Sequence, residues 1–144
     1  MVASGYNGGT WLGTGITSAT AHTNPGLYSL VVLDNATRPT KFDTFDGVDT
    51  SSHHQIIVKF SWVADLDLDG IVTPNDAIVF ANNYNEGHPA NHQLGDLNYN
   101  GVYDANDAIL FANAYNESLP HLPEPASLGV LALGAAALLL KRRK

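Results

Sequence analysis

Two twelve-residue acidic loops, thirty-one residues apart, each run into a near-copy of the same short helix. The first is Asp65-Leu66-Asp67-Leu68-Asp69-Gly70-Ile71-Val72-Thr73-Pro74-Asn75-Asp76, and the second is Asp96-Leu97-Asn98-Tyr99-Asn100-Gly101-Val102-Tyr103-Asp104-Ala105-Asn106-Asp107. Aligning residues 65–85 on 96–116 gives twelve identities in twenty-one positions, so the chain carries two copies of one supersecondary unit. Each helix repeats apolar residues at helical spacing: Ala77, Phe80, Ala81 and Tyr84, then Ala108, Phe111, Ala112 and Tyr115. Helices this short are not stable alone. The stripes therefore predict two helices packed on each other as a shared core. Thr73 and Asp104 stand where they can cap these helices, with Asp76 and Asp107 three residues on in capping-box position. Pro74 falls in the first turn, where its missing N–H costs nothing.

The loops themselves place oxygen side chains at positions 1, 3, 5, 9 and 12 with glycine at 6, the ligand ladder of an EF-hand-type calcium loop. A hard cation takes six to eight oxygens, and alternate residues of a curling loop can converge on one centre. Without metal, Asp65, Asp67, Asp69 and Asp76 crowd four negative charges into twelve residues. The second loop keeps the oxygens but lowers the charge to three by using Asn98 and Asn100. The first site is therefore expected to bind Ca²⁺ more tightly than the second. Neither unit shows a clear entering helix, since Ser61–Ala64 is strand-like and Gly87–Leu94 is a polar linker with Pro89.

A duplicated loop of this kind followed by one helix resembles type I dockerin repeats, over about residues 60–117. The resemblance implies a calcium-stabilised module with near two-fold internal symmetry and two bound Ca²⁺. By the motif, Asp65, Asp67, Asp69, Thr73 and Asp76 are side-chain ligands of the first ion, with Ile71 giving its carbonyl. Asp96, Asn98, Asn100, Asp104 and Asp107 serve the second, with Val102 as carbonyl donor. Dockerins usually dock a cohesin-like partner through a Ser/Thr-type pair after the ninth position. Pro74-Asn75 and Ala105-Asn106 stand there instead, so the motif speaks for calcium more than for docking.

The C-terminus is a second element. Pro123-Glu124-Pro125 precedes an uncharged run from 126 to 140, about 22 Å as a helix, then Lys141-Arg142-Arg143-Lys144. That is short for a permanent span, which takes around twenty residues, and the basic stop suits a cytoplasmic end. Together these features look like a PEP-CTERM sorting signal. The resemblance implies an exported protein held at the inner membrane through residues 126–140. An exosortase-like enzyme then recognises Pro123, Glu124 and Pro125 and passes the body to the cell surface or medium.

The body is strongly acidic once the tail is set aside. Residues 1–140 hold fourteen acids against three bases, so nucleic acid is excluded as a partner. Cysteine is absent, which removes disulfides and thiolate ligands. Residues 1–26 read as loops with one short strand around Trp11. Leu27–Leu33 reads as a strand ending at the turn signal Asp34-Asn35. Gln55–Val63 reads as another, setting Ile57, Lys59 and Ser61 on one face against Ile56, Val58, Phe60 and Trp62 on the other, a pattern that suits one buried face. Thr37–His54 is the connector between them, with room for a hairpin. The start lacks a basic n-region and an apolar h-region, so the chain is expected to be the C-terminal piece of a longer secreted protein, or one whose true start lies upstream of Met1. Its order of elements resembles the end of large planctomycete-type surface proteins.

Catalysis finds no framework. There is no nucleophile elbow, phosphate-cradling loop or dinucleotide fingerprint, and the acidic residues of 65–107 are accounted for as ligands or caps. His53-His54 and His88-x-x-x-His92 are read as solvated rather than as a transition-metal site. The expected class is α+β: a β-rich segment over 1–60 and a dockerin-like calcium module over 61–117. A linker over 118–125 and a transmembrane sorting helix with basic tail over 126–144 follow. The expected function is that of a non-catalytic, exported calcium-binding surface module. The alternative is a cohesin-docking accessory region of a secreted polysaccharide-degrading enzyme.

Overall fold

The computed structural model describes residues 1–84 and 91–119. Its first elements are two single-turn helices, α1 (Val2–Tyr6) and α2 (Ala19–Thr23), where a strand around Trp11 was expected. Local side-chain bonds explain the difference. The Ser18 hydroxyl accepts from the Ala21 N–H at 3.2 Å and caps α2. Trp11 takes a left-handed backbone (φ 55°) and buries its ring edge-on to Tyr6, with centroids 5.2 Å apart. A turn, not a strand, delivers this aromatic to a cluster with Val2 and Ala21.

The two predicted strands form as β1 (Tyr28–Asp34) and β4 (Ile56–Trp62), paired antiparallel from Tyr28↔Trp62 to Asp34↔Ile56. Between them, β2 (Thr44–Phe45) and β3 (Val48–Asp49) make a small hairpin across Asp46-Gly47. The buried face of β4 is its mixed one. Ile57 and Ser61 are buried, whereas Ile56 is 60% exposed and Val58 and Phe60 are 40% exposed. Lys59 survives on the inward face by reaching out to Asp46 at 3.1 Å over the Phe45 ring. On the outward face the aromatics shield one another, Tyr28 lying 5.3 Å from Phe60 and 4.6 Å from Trp62.

The repeat helices are α3 (Pro74–Asn83) and α4 (Ala105–Ser118). Both begin with a full capping box, Thr73 with Asp76 and Asp104 with Asp107, and Pro74 occupies the first turn. Phe80 and Phe111 stack at 4.6 Å and form the centre of a core with Val63, Ala64, Leu66, Val72, Leu97 and Ala114. Ala81, Tyr84 and Ala112 lie outside it. Val79 and Leu110, equivalent in the two helices, pack on the core instead, and Ala114 joins it at the place that Asn83 holds in α3. Among the described residues no α-helix leads into either loop. β4 leads into the first, and a 3-10 turn (His92–Leu94) leads into the second.

Tyr103 ties the repeats together. Its hydroxyl donates to the Phe80 carbonyl of α3, and its ring lies edge-on to Phe80 and Tyr84. Gly95 makes room for that ring. A β-carbon there would sit 2.6 Å from it, on a backbone at φ 116° that side chains avoid. Gly95→Ala is expected to cost about 2–3 kcal/mol through both effects. An unchanged midpoint in denaturant unfolding would contradict this packing. The border drawn at 60/61 falls inside β4, so the β segment and the repeats share a strand. Among the described residues no helix is long and apolar enough to cross a membrane. The expected helix over 126–140 and the basic tail lie outside the described residues.

Candidate metal centre

The two loops fold alike to the level of single dihedrals. Position 4 is left-handed in both, Leu68 at φ 63° and Tyr99 at φ 56°, and so is position 6, Gly70 at φ 97° and Gly101 at φ 81°. Glycine takes that conformation freely, whereas a leucine or tyrosine there is strained. Burial of each position-4 side chain offsets the strain. Leu68 packs with Val31, Leu33 and Ile57 on the inward face of the ribbon. Tyr99 packs with Tyr28, Leu30 and Val32 on the other, where its hydroxyl donates to the Leu30 carbonyl at 2.5 Å.

Inside each loop the ligand residues hold the backbone in equivalent curls. The first-position carboxylate accepts from the glycine N–H, Gly70 to Asp65 at 3.0 Å and Gly101 to Asp96 at 3.1 Å. Position 3 accepts from position 5, Asp69 N–H to Asp67 at 3.2 Å and Asn100 N–H to Asn98 at 2.9 Å. Position 5 accepts from position 7, Ile71 N–H to Asp69 and Val102 N–H to Asn100. The last carboxylate reaches back to the start of its loop. Asp76 accepts from Leu66 N–H and Thr73 N–H, both at 2.8 Å, and Asp107 from Leu97 and Asp104 N–H, both at 2.9 Å. Thr73 and Asp104 also accept from Asn75 and Asn106 N–H. The Ile71 and Val102 side chains face solvent.

The loops differ at the centre. Asp65, Asp67 and Asp76 bring one carboxylate oxygen each to within 4.8 Å of one another, whereas the second loop has the amide of Asn98 where the first has the Asp67 carboxylate. Asp65 is fully buried, and its Oδ1 has no hydrogen-bond partner. The Ser61 hydroxyl donates to its other oxygen. In the second loop both oxygens of Asp96 accept, Oδ1 from Asn100 N–H at 3.1 Å. Burial pushes the Asp65 carboxyl up to about 6, with the Asp76 and Asp67 charges adding to it against the Ser61 and Gly70 bonds. Burial likewise raises Asp67, Asp96 and Asp107. These groups resist ionisation until a positive charge joins them. An oxygen-only donor set with a bare buried carboxylate oxygen fits a hard cation of the Ca²⁺ type.

His92 is not solvated. Both ring nitrogens are buried without a partner, the ring stacks on Tyr99 at 5.0 Å, and burial lowers its pKa to about 3. The equivalence of position 92 to position 61 was the available signal, because each lies four residues before a first ligand. His53 lies in a turn (φ 55°) and not on a strand, with Nε2 2.7 Å from Asp43.

Residues 122–144 match the family model of the PEP-CTERM protein-sorting motif, a span that includes Pro123, Glu124 and Pro125. The motif marks an exported protein, sorted through the membrane to the cell surface by an exosortase. No dockerin or EF-hand family model matches the chain. No curated protein and no solved structure matches it significantly.

Proposed function

We propose that the described body is a non-catalytic calcium-binding module carried by a surface-sorted protein, with a site in each loop. Asp65, Asp67, Asp69, Thr73, Asp76 and the Ile71 carbonyl would hold the first ion. Asp96, Asn98, Asn100, Asp104, Asp107 and the Val102 carbonyl would hold the second. The bare Oδ1 of the buried Asp65, gathered with Asp67 and Asp76, is the observation that carries this reading. A buried carboxylate left without a partner is costly, and a cation removes that cost. Calcium here would be structural. Asp76 both belongs to the trio and completes the capping box of α3, so filling the loop would favour the helix it starts.

The test is calorimetric titration of the full-length chain in detergent micelles with Ca²⁺, followed by circular dichroism before and after chelation. Two events are expected, the tighter lost in Asp65→Ala and the weaker in Asp96→Ala, with helix content falling on chelation. A flat titration with an unchanged spectrum would remove the calcium reading.

A further inference from the structure

We infer that Ser61, which lies outside the loop, is a positioning residue for the first calcium site. This inference rests on the calcium reading above. Ser61 occupies the inward face of β4 opposite Ser29, and it is 7% exposed. A buried serine in a strand face needs a partner, and its hydroxyl finds one in Asp65 Oδ2 four residues on. That oxygen also accepts the Gly70 N–H. Two donors on one oxygen fix the rotation of the carboxylate and leave Oδ1 as the free atom beside Asp67 and Asp76. A first ligand held this way reaches the ion with less ordering left to do.

The second repeat shows what the serine adds. Its equivalent position is His92, whose ring makes no hydrogen bond, and Asp96 is held instead by the Asn100 and Gly101 N–H groups of its own loop. The first site is thus wired to the β ribbon through a side chain that the second lacks. This also accounts for the orientation of β4. Burying its mixed face and exposing Ile56, Val58 and Phe60 is what points Ser61 at the loop.

Ser61→Ala and Ser61→Thr in the full-length chain, titrated with Ca²⁺ in micelles, test this role. Ser61→Ala is expected to weaken the tighter event about ten-fold and leave the weaker one unchanged. Ser61→Thr, which keeps the hydroxyl, restores the tighter event. Without calcium, the Gly70 amide resonance should move in Ser61→Ala while that of Gly101 stays. An unchanged tighter event, equal weakening of both events, or no rescue by threonine would overturn the inference. A wild-type chain with no binding event removes the calcium reading and this role with it. Two wild-type events that Ser61→Ala leaves alone remove only the role.

Discussion

Asp65→Asn is expected to destabilise the calcium-loaded protein and to stabilise the calcium-free one. With calcium about 100-fold above its dissociation constant, an occupied site contributes about 2.7 kcal/mol. Losing it lowers the melting temperature by on the order of 10 °C in a domain near this size. Without calcium the sign reverses. The Asp65 carboxyl titrates at about 6 in the fold against 3.8 when unfolded. The folded state therefore holds that proton more tightly. Its contribution to stability is present below pH 3.8 and lost as pH rises through 6. At pH 7.5 the ionised, buried group costs about 3 kcal/mol, which the neutral asparagine does not incur. Melting curves of both proteins with calcium and with chelator decide the matter. The same sign in both conditions would mean that Asp65 serves only to hold its own loop.

The second large effect belongs to His92 and runs the other way with pH. Full burial holds it neutral down to about pH 3, whereas the unfolded imidazole takes a proton near 6.5. The unfolded chain thus gains protons first, and stability falls as pH drops below 6.5, by about 2 kcal/mol at pH 5. His92→Phe keeps a flat ring against Tyr99 and removes the titration. In calcium-free wild type, the His92 loss offsets the Asp65 gain between pH 7 and 5. In calcium-free His92→Phe only the gain remains, so that variant becomes more stable on acidification. Urea midpoints at pH 7, 6 and 5 measure this, and parallel slopes for the two proteins would refute a buried, unpartnered imidazole.

What the residue order made legible is what local rules govern. The capping boxes at Thr73 and Asp104, the first-turn Pro74 and the glycines at loop position 6 follow from spacing alone. So do β1 and β4, to within a residue. What was not legible depends on neighbours distant in sequence. The inward face of β4 is chosen by Leu68 and Ser61, against the more apolar alternative. Ala81 and Ala112 satisfy helical period yet find nothing opposite them, while Ala114 does. His92 looked solvated because its linker is polar, but the Tyr99 ring that covers it arrives from the next loop. The single-turn helix α2 is held by its Ser18 cap, and α1 by the contacts of Val2 and Tyr6, rather than by any periodic stripe. Loop spacing alone put Asp65, Asp67 and Asp76 in one candidate ligand set with Asp69 and Thr73, whereas the unequal internal satisfaction of Asp65 and Asp96 shows only in three dimensions.

Leu68 and Tyr99, gripping opposite faces of the ribbon, join the N-terminal half to both loops at once. On the calcium reading, this sets when the whole chain closes as well as how firmly. Were calcium needed to hold the loops, its scarcity inside a cell would loosen position 4 in both and free the ribbon on its two sides together. Extracellular calcium modules bind in about the 10⁻⁴–10⁻³ M range, levels met outside the membrane through which the sorting motif directs a protein. The protein would then travel unclosed and shut on arrival, with the ion acting as the signal that export is complete.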